Sequence, residues 1–445
     1  MSVAVCADVG STYTKAAVVD LDGGRLVAAA SAPTTVGTDV LHGLDAAVAA
    51  ATAGLGVRDV PWYVCSSAGG GLRLAVVGYE QLVTAQAGRR VGLSAGANVV
   101  HVAAGRLAGA DVAALRAARP DVVLLVGGTD GGDAEVLTHN ATRLARARWR
   151  VPVVLAGNVD VRDELHAVLA GAGVPVTAAD NVLPRIGVLA PASARAAIRE
   201  VFLRHVIGGK RLSRGSRFAR LVRAATPDAV LTGVEVLADV VGGDLVVVDV
   251  GGATTDVYSV LTPDERDSGP GRQVAGSLWR ARTVEGDLGM RWSAPGVVRA
   301  AVEERLLAAG EQDILGAAAA VRAADPGFLP VDAAGRAVDG RIAALAATVA
   351  VRRHARGGAT GERDGRDLRD VRLLVGSGGV LRHAPSVDAA VVLEAVLTDH
   401  AGGWPVPRDA RAVVDVDYVL AAGGLLAAEQ PRAAGALLRR HLLAG

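Results

Sequence analysis

The apolar positions near the start of the chain recur with a strand's period. "VAVCAD" (3–8) reads as a strand, and "TKAAVVDL" alternates again after a glycine turn, which predicts a hairpin around "DVGSTY". "LDGGRL" closes a second hairpin into "RLVAAASAPT", so three antiparallel strands are expected. "GLDAAVAAATAGLG" predicts a helix ending in glycine, and "VPWYVCSSAGGG" a strand running into a glycine-rich turn.

From about 106 to 205 helical stretches separate the apolar runs "DVVLLVGG", "VPVVLAGN" and "VPVTAADN". Strands alternating with helices predict a parallel sheet with right-handed crossovers. Their ends at Gly127 to Asp133, Asn158 and Asp180 to Asn181 should line one sheet edge, where open α/β sheets bind ligands. The hairpin pattern then returns. "DLVVVDVGGATTDVYSVL" (244–261) is strand, glycine turn and strand, after a helix in "PDAVLTGVEVLADV". "PDERDSGPGR" reads as a polar loop, helices fill 295 to 356, and "ARGGATGERDGRDLRD" reads as mobile. "VRLLVGSGGVLRHA" predicts a strand, a glycine turn and a helix start, and "DYVLAAGGLLAAEQ" a late helix of small residues.

At 445 residues the chain is long enough for at least two cores. Apolar residues make up 51% and aromatics 3%, so the apolar mass is Ala, Val and Leu, which close-packed α/β layers use. No uncharged apolar run reaches the roughly 18 residues of a membrane span. Asp8 also interrupts the first apolar stretch before a signal peptide could form. A soluble cytoplasmic protein is the expectation. A net charge of +1 gives no drive towards nucleic acid or membrane. The basic run over 199–223 carries no interleaved aromatics beyond Phe202 and Phe218, and reads as a solvated surface rather than a nucleic-acid patch, with an acidic protein partner as the alternative. Cys6 and Cys65 sit in strand contexts as buried thiols, too few for an iron-sulfur or structural zinc site. His101, His139, His166 and His205 show no metal-binding spacing.

The candidate chemistry begins at Lys15, one of two lysines among 47 Lys and Arg residues. Asp8-Val9-Gly10 superposes on Asp249-Val250-Gly251, and the position seven residues after the first Asp holds Lys15 in one copy and Asp256 in the other. Gly10, Gly251 and Gly252 let successive backbone N–H groups converge on anionic oxygens. Ser11, Thr12, Thr254 and Thr255 add hydroxyl donors. Lys15 brings a compact ammonium to a phosphate chain, a point charge that the planar fork of Arg does not reproduce. Asp8, Asp249 and Asp256 need a cation between themselves and phosphate, and Mg²⁺ shared with phosphate oxygens takes one or two carboxylates. A third element, Gly376-Ser377-Gly378-Gly379, is a glycine turn opening a helix, against which a base and ribose can lie.

A lone "DVG" is more often a plain turn. Two copies at matched offsets, followed by the glycine turn, favour a nucleotide with Mg²⁺, and Asp8, Asp249 and Lys15 are the residues placed to act on its phosphates. The halves would present these turns to one another if a pseudo-twofold axis relates them. "VGGTDGG" (126–132) reads as a structural turn or partner loop.

"DVGSTYTK", "DVGGATTD" and "GSGGVLR" resemble the two phosphate motifs and the adenosine motif of the actin, Hsp70 and sugar-kinase superfamily. "TPDAVLTGVEVLAD" and "DYVLAAGGLLA" are similar to its linking helices. The resemblance implies an α/β, two-lobed actin/Hsp70-like ATPase fold with duplicated mixed sheets and an additional α/β region in the first half. The expected division is 1–90 for the first-lobe hairpins and sheet, 91–225 for the α/β region, and 226–445 for the second lobe. "CSSAGGGLRLAVVGYE", "LLVGGTDGGDAEVLTHNA", "PVVLAGN", "VEGDLGMR" and "DLRDVRLLVGSGGVLRHA" further resemble the glutamate mutase MutL (GlmL) family, which is distinct from the mismatch-repair protein of the same name. That resemblance runs over nearly the whole chain. It implies an accessory ATPase of an adenosylcobalamin-dependent mutase or aminomutase, a chaperone or reactivating factor whose ATP-driven closure lets inactivated cobalamin leave. Asp287 and Gly289 of "VEGDLGMR" are then candidates to line the cleft, and Glu235 to orient an attacking water. Two alternatives stand beside it: a small-molecule kinase, which needs a base near the acceptor hydroxyl, and a module that binds ATP without hydrolysing it. No "DxHxxG" cobalamin-ligand signature is present, and the sequence leaves the mutase served and the oligomeric state open.

Overall fold

The computed structural model describes residues 2–57, 59–68, 72–80, 84–95, 97–207, 212–262, 280–356 and 366–443. Strand β1 (Val3–Val9) is buried along its whole length, which places it inside a sheet rather than at an edge. Strands β2 (Tyr13–Asp20) and β3 (Arg25–Pro33) follow it as the two antiparallel hairpins expected. The helix Val40–Thr52 starts where the Asp39 carboxylate accepts the Leu41 N–H at 2.9 Å. It buries Val40, Leu44, Ala47, Val48 and Ala51, the stripe of a one-sided helix. Each Val or Leu buried in this way contributes about 1.5–3 kcal/mol. Strand β4 (Trp62–Ser66) then pairs parallel with β1.

Here the chain leaves the first sheet to build another. Strands β5 (Arg73–Gly78), β6 (Asn98–Ala104), β7 (Val122–Leu125), β8 (Val153–Leu155) and β9 (Val176–Ala178) are all parallel, in the order β6-β5-β7-β8-β9. Strands β7 to β9 are the three apolar runs read from the sequence. β5 and β6 are additional. The chain returns through β10 (Val222–Ala225), parallel to β4, which completes the first sheet in the order β10-β4-β1-β2-β3. The two sheets share a core, with Val5, Val9 and Val64 in one apolar cluster with Leu74, Val76 and Leu124. After the helix Thr226–Val241 comes the second hairpin, β11 (Leu245–Val250) and β12 (Thr255–Val260). Strand β13 (Arg280–Glu285) extends it antiparallel, while β14 (Leu373–Ser377) and β15 (Arg411–Val414) add in parallel.

The order β13-β12-β11-β14-β15 repeats the first sheet strand for strand: third, second, first, fourth, fifth, with the same directions. Helices Ala294–Glu303, Glu311–Ala324 and Ala333–Arg356 occupy the region expected to be helical. The described residues form two compact units. One is Met1–Gly233 with Ala421–Leu437; the other is Val234–Thr262, Arg280–Leu420 and Leu438–Gly445. The expected polar loop at 263–272 and most of the expected mobile stretch, 357–365, lie outside the described residues. Among the described residues no helix is long and apolar enough to cross a membrane.

Candidate functional site

In the first hairpin β1 delivers Asp8 and β2 delivers Lys15 directly opposite it. The Lys15 ammonium lies 3.7 Å from Asp8 Oδ2, with Asp8 buried and Lys15 about one-third exposed at 32%. Asp8 Oδ1 accepts the Thr226 hydroxyl at 2.5 Å and the Cys65 thiol at 3.6 Å. Burial, and next the Asp8 charge, push the Cys65 thiol well above its usual range, so it serves as a neutral donor. At the turn the Gly10 N–H donates to the Tyr13 carbonyl at 3.2 Å, and Ser11 and Thr12 stand exposed at the tip. A Cβ at residue 10 would lie 2.7 Å from that carbonyl oxygen, which reserves the position for glycine.

The second hairpin repeats this geometry with different charges. Asp249 and Asp256 are register partners, the Gly251 N–H donates to the Thr254 carbonyl at 2.9 Å, and a Cβ at 251 would meet that oxygen at 2.8 Å. Two carboxylates facing each other across a ladder repel. The third strand answers with Arg282, whose Nε and Nη2 both donate to Asp256 Oδ1, at 2.9 and 2.5 Å. Burial disfavours the guanidinium charge, but Asp256 and Tyr258 together outweigh it and the pKa of Arg282 moves up. The Thr254 hydroxyl donates to Asp256 Oδ2 at 3.1 Å, and the buried Thr255 hydroxyl to the Leu288 carbonyl at 2.6 Å.

"VEGDLGMR" packs onto this turn. The N–H groups of Met290, Arg291 and Trp292 donate to the carbonyls of Gly251 and Gly252 at 2.8–3.1 Å. Asp287 in the same stretch is held by Arg353 at 2.7 and 3.0 Å, and Glu235 lies 3.2 Å from Arg280 Nη1.

The glycine turn after β14 sits against the second hairpin. Ser377 is the register partner of Asp249. Gly378 has φ +99°, and a Cβ there would fall 2.1 Å from the Val250 carbonyl oxygen and 2.9 Å from Asp249 Oδ1. Gly376, Ser377 and Gly378 are buried, and exposed Gly379 opens a short helix. Asp249, Gly251, Gly252, Thr254, Thr255, Asp256 and the 376–379 turn therefore belong to one unit. Asp8, Gly10, Ser11, Thr12 and Lys15 belong to the other.

Thr226 and Arg282 were not singled out from the sequence, and Cys65 was read there only as a buried thiol. Thr226 opens a helix and Arg282 lies in a strand of mixed polarity, so neither carries a local signature. Among the described residues no group of three or more His, Cys, Asp or Glu could hold a metal. The carboxylates come one or two to a hairpin, which fits a Mg²⁺ ion carried in on phosphate oxygens rather than a cage made of protein alone.

The loop "VGGTDGG" ends β7 at the carboxyl edge of the parallel sheet. Buried Asn181 donates to the Gly128 carbonyl at 2.9 Å and to Asp130 Oδ1 at 2.8 Å, and buried Asn158 donates to the Gly132 carbonyl at 3.0 Å. The loop is thus fixed by side chains that follow the ends of β8 and β9.

Two sheets of the same strand order, each opening on an aspartate-glycine hairpin and the second carrying a glycine turn beside it, define the actin/Hsp70-like fold class. Comparison of the sequence with known families then narrows the class. The profile of the MutL protein family matches residues 4–442. The chain is 34% identical over 458 residues to "Protein MutL" of Clostridium tetanomorphum, covering 98% of each. It belongs to the MutL family.

Solved structures with similarity to it include nucleotide-free acetone carboxylase, at 16% identity and a TM-score of 0.42 over 96% of this chain and 70% of that one. Another is component A of (R)-2-hydroxyglutaryl-CoA dehydratase from Acidaminococcus fermentans, at 11% identity and a TM-score of 0.32 over 98% and 100%. The fold assignment rests on the strand order within the chain itself.

Proposed function

We propose that this chain binds ATP with Mg²⁺, hydrolyses it slowly, and acts as an accessory, reactivating chaperone for an adenosylcobalamin-dependent mutase such as glutamate mutase or an aminomutase. The observation that carries the proposal is the matched pair of hairpins, with Asp8 facing Lys15 in one and Asp249 facing Asp256 in the other. Lys15 supplies the positive charge for the phosphate chain, the exposed Ser11 and Thr12 supply hydroxyl donors, and the glycine turns supply backbone N–H groups. Thr226 and Cys65 hold the Asp8 carboxylate in one orientation. Mg²⁺, when bound, neutralises phosphate charge so that carboxylates can approach it. The output is conformational: a nucleotide biases whichever state it contacts better, and loss of the γ-phosphate removes that bias. Membership of the MutL family supports the mutase as the partner.

Release of ADP from the purified protein with Mg²⁺ and ATP tests the first half. Lys15→Ala and Asp249→Ala should each lower turnover by at least about 100-fold, the scale of losing a main electrostatic contact, with the circular-dichroism spectrum retained. Normal turnover in either variant would overturn the assignment, and strong stimulation by sugars or other hydroxyl acceptors would point to a kinase. Retention of a mutase on the immobilised protein that changes with ATP tests the second half. No retention in either state would remove the chaperone role.

A further inference from the structure

The two hairpins differ at the position where each aspartate meets its partner: a lysine in the first, a carboxylate in the second. The consequence runs through Thr254. A hydroxyl has one proton, and a carboxylate can only accept. The 3.1 Å bond therefore sends the Thr254 proton to Asp256 Oδ2. Asp256 cannot swing away, because Arg282 fixes its other oxygen with two bonds and is itself buried beneath the Tyr258 ring, 5.6 Å from the centroid. With its proton committed, Thr254 Oγ1 has only lone pairs left to present. Lone pairs repel a phosphate oxygen and suit a cation, or a hydrogen of the cation's water. The first hairpin carries Tyr13 at the matching place and puts forward the Lys15 ammonium instead.

We propose that Arg282 is a positioning residue of the second hairpin: acting through Asp256, it commits the Thr254 hydroxyl to an acceptor role, so that Thr254 serves the cation of a metal–nucleotide complex. This rests on the nucleotide site proposed above. Asp256 then works by holding Thr254.

Titration calorimetry of ADP, once with Mg²⁺ and once with excess EDTA, tests it on the full chain. The quantity read is the factor by which Mg²⁺ strengthens binding. Thr254→Val, which keeps the shape and removes the hydroxyl, should lower that factor about ten-fold, the scale of losing support around a metal, and leave affinity in EDTA unchanged. Arg282→Lys, which keeps the charge and loses the planar fork, should lower the factor in the same direction, again with EDTA affinity unchanged. If Thr254→Val weakens binding equally in both media, its hydroxyl donates to phosphate and the proposal is overturned. An unchanged factor in a folded Arg282→Lys protein removes the positioning role. Should that variant fail to fold, Thr254→Val decides alone. A wild-type protein that binds no ADP in either medium would overturn the nucleotide reading itself, a result distinct from the other two.

Discussion

At Gly378 two penalties await any side chain. The backbone has φ +99°, outside the range of ordinary L residues, and a Cβ would lie 2.1 Å from the Val250 carbonyl oxygen, a backbone atom with no rotamer to yield. Gly379, one residue on, has nothing within 4 Å of its Cβ position. Gly378→Ala should therefore destabilise its unit by about 2–4 kcal/mol, and Gly379→Ala by less than about 1 kcal/mol. Urea unfolding of the two variants measures this, and equal losses would contradict the packing of the turn on the hairpin. The "GSGG" turn was legible in the sequence because its residues are contiguous and glycine has few other reasons to cluster there. Thr226 and Arg282 were not, because they act at a distance along the chain. Thr226 is separated from Asp8 by 218 residues, and Arg282 from Asp256 by 26.

Hairpins are the elements that sequence reveals best, since alternation and a glycine turn are both local. Of the edge strands, β3 and β9 were read from the sequence while β6, β13 and β15 were not. β6, β13 and β15 each pair on one side only, and "RARTVE" or the four-residue "RAVV" carries too few apolar positions to show a period. A short apolar run such as β5 reads equally as helix or strand.

The helix Ala333–Arg356 brings a test at this scale. Its His354 is fully buried and bridges Thr283 Oγ1 at 2.9 Å and Ser259 Oγ at 2.8 Å, joining the helix to β13 and β12. Burial, aided by the nearby Arg366 charge, holds the imidazole well below its ordinary pKa of 6.5. Above pH 6.5 both folded and unfolded states are neutral there, and His354 adds no pH dependence. As pH falls through the unfolded value, the unfolded chain takes up a proton that the folded state refuses. Stability then drops by up to about 1.4 kcal/mol per pH unit until the folded pKa is reached. The melting temperature should fall between pH 6.5 and 5, and His354→Gln, which keeps hydrogen-bonding capacity without a proton to gain, should flatten that fall. Parallel slopes in the two proteins would assign the acid sensitivity elsewhere.

Over the whole molecule the duplication was the most legible feature, because Asp8-Val9-Gly10 and Asp249-Val250-Gly251 mark the first turn of each repeated sheet. The strand order of each sheet was not legible: β4 and β10, or β14 and β15, become neighbours only through parallel pairings that leave no local trace. Hydrogen exchange of backbone amides in 9–15 and in 250–256 should slow when Mg²⁺ and ATP are added. At a ligand concentration 100 times Kd the gain is about 2.7 kcal/mol, or roughly 100-fold slower exchange through openings that release the ligand. The braced loop Gly127–Asp133 should not respond. Lys15→Ala makes the test decisive, since it should abolish the protection of 9–15, and protection there that survives the substitution at the wild-type level would overturn the role of Lys15.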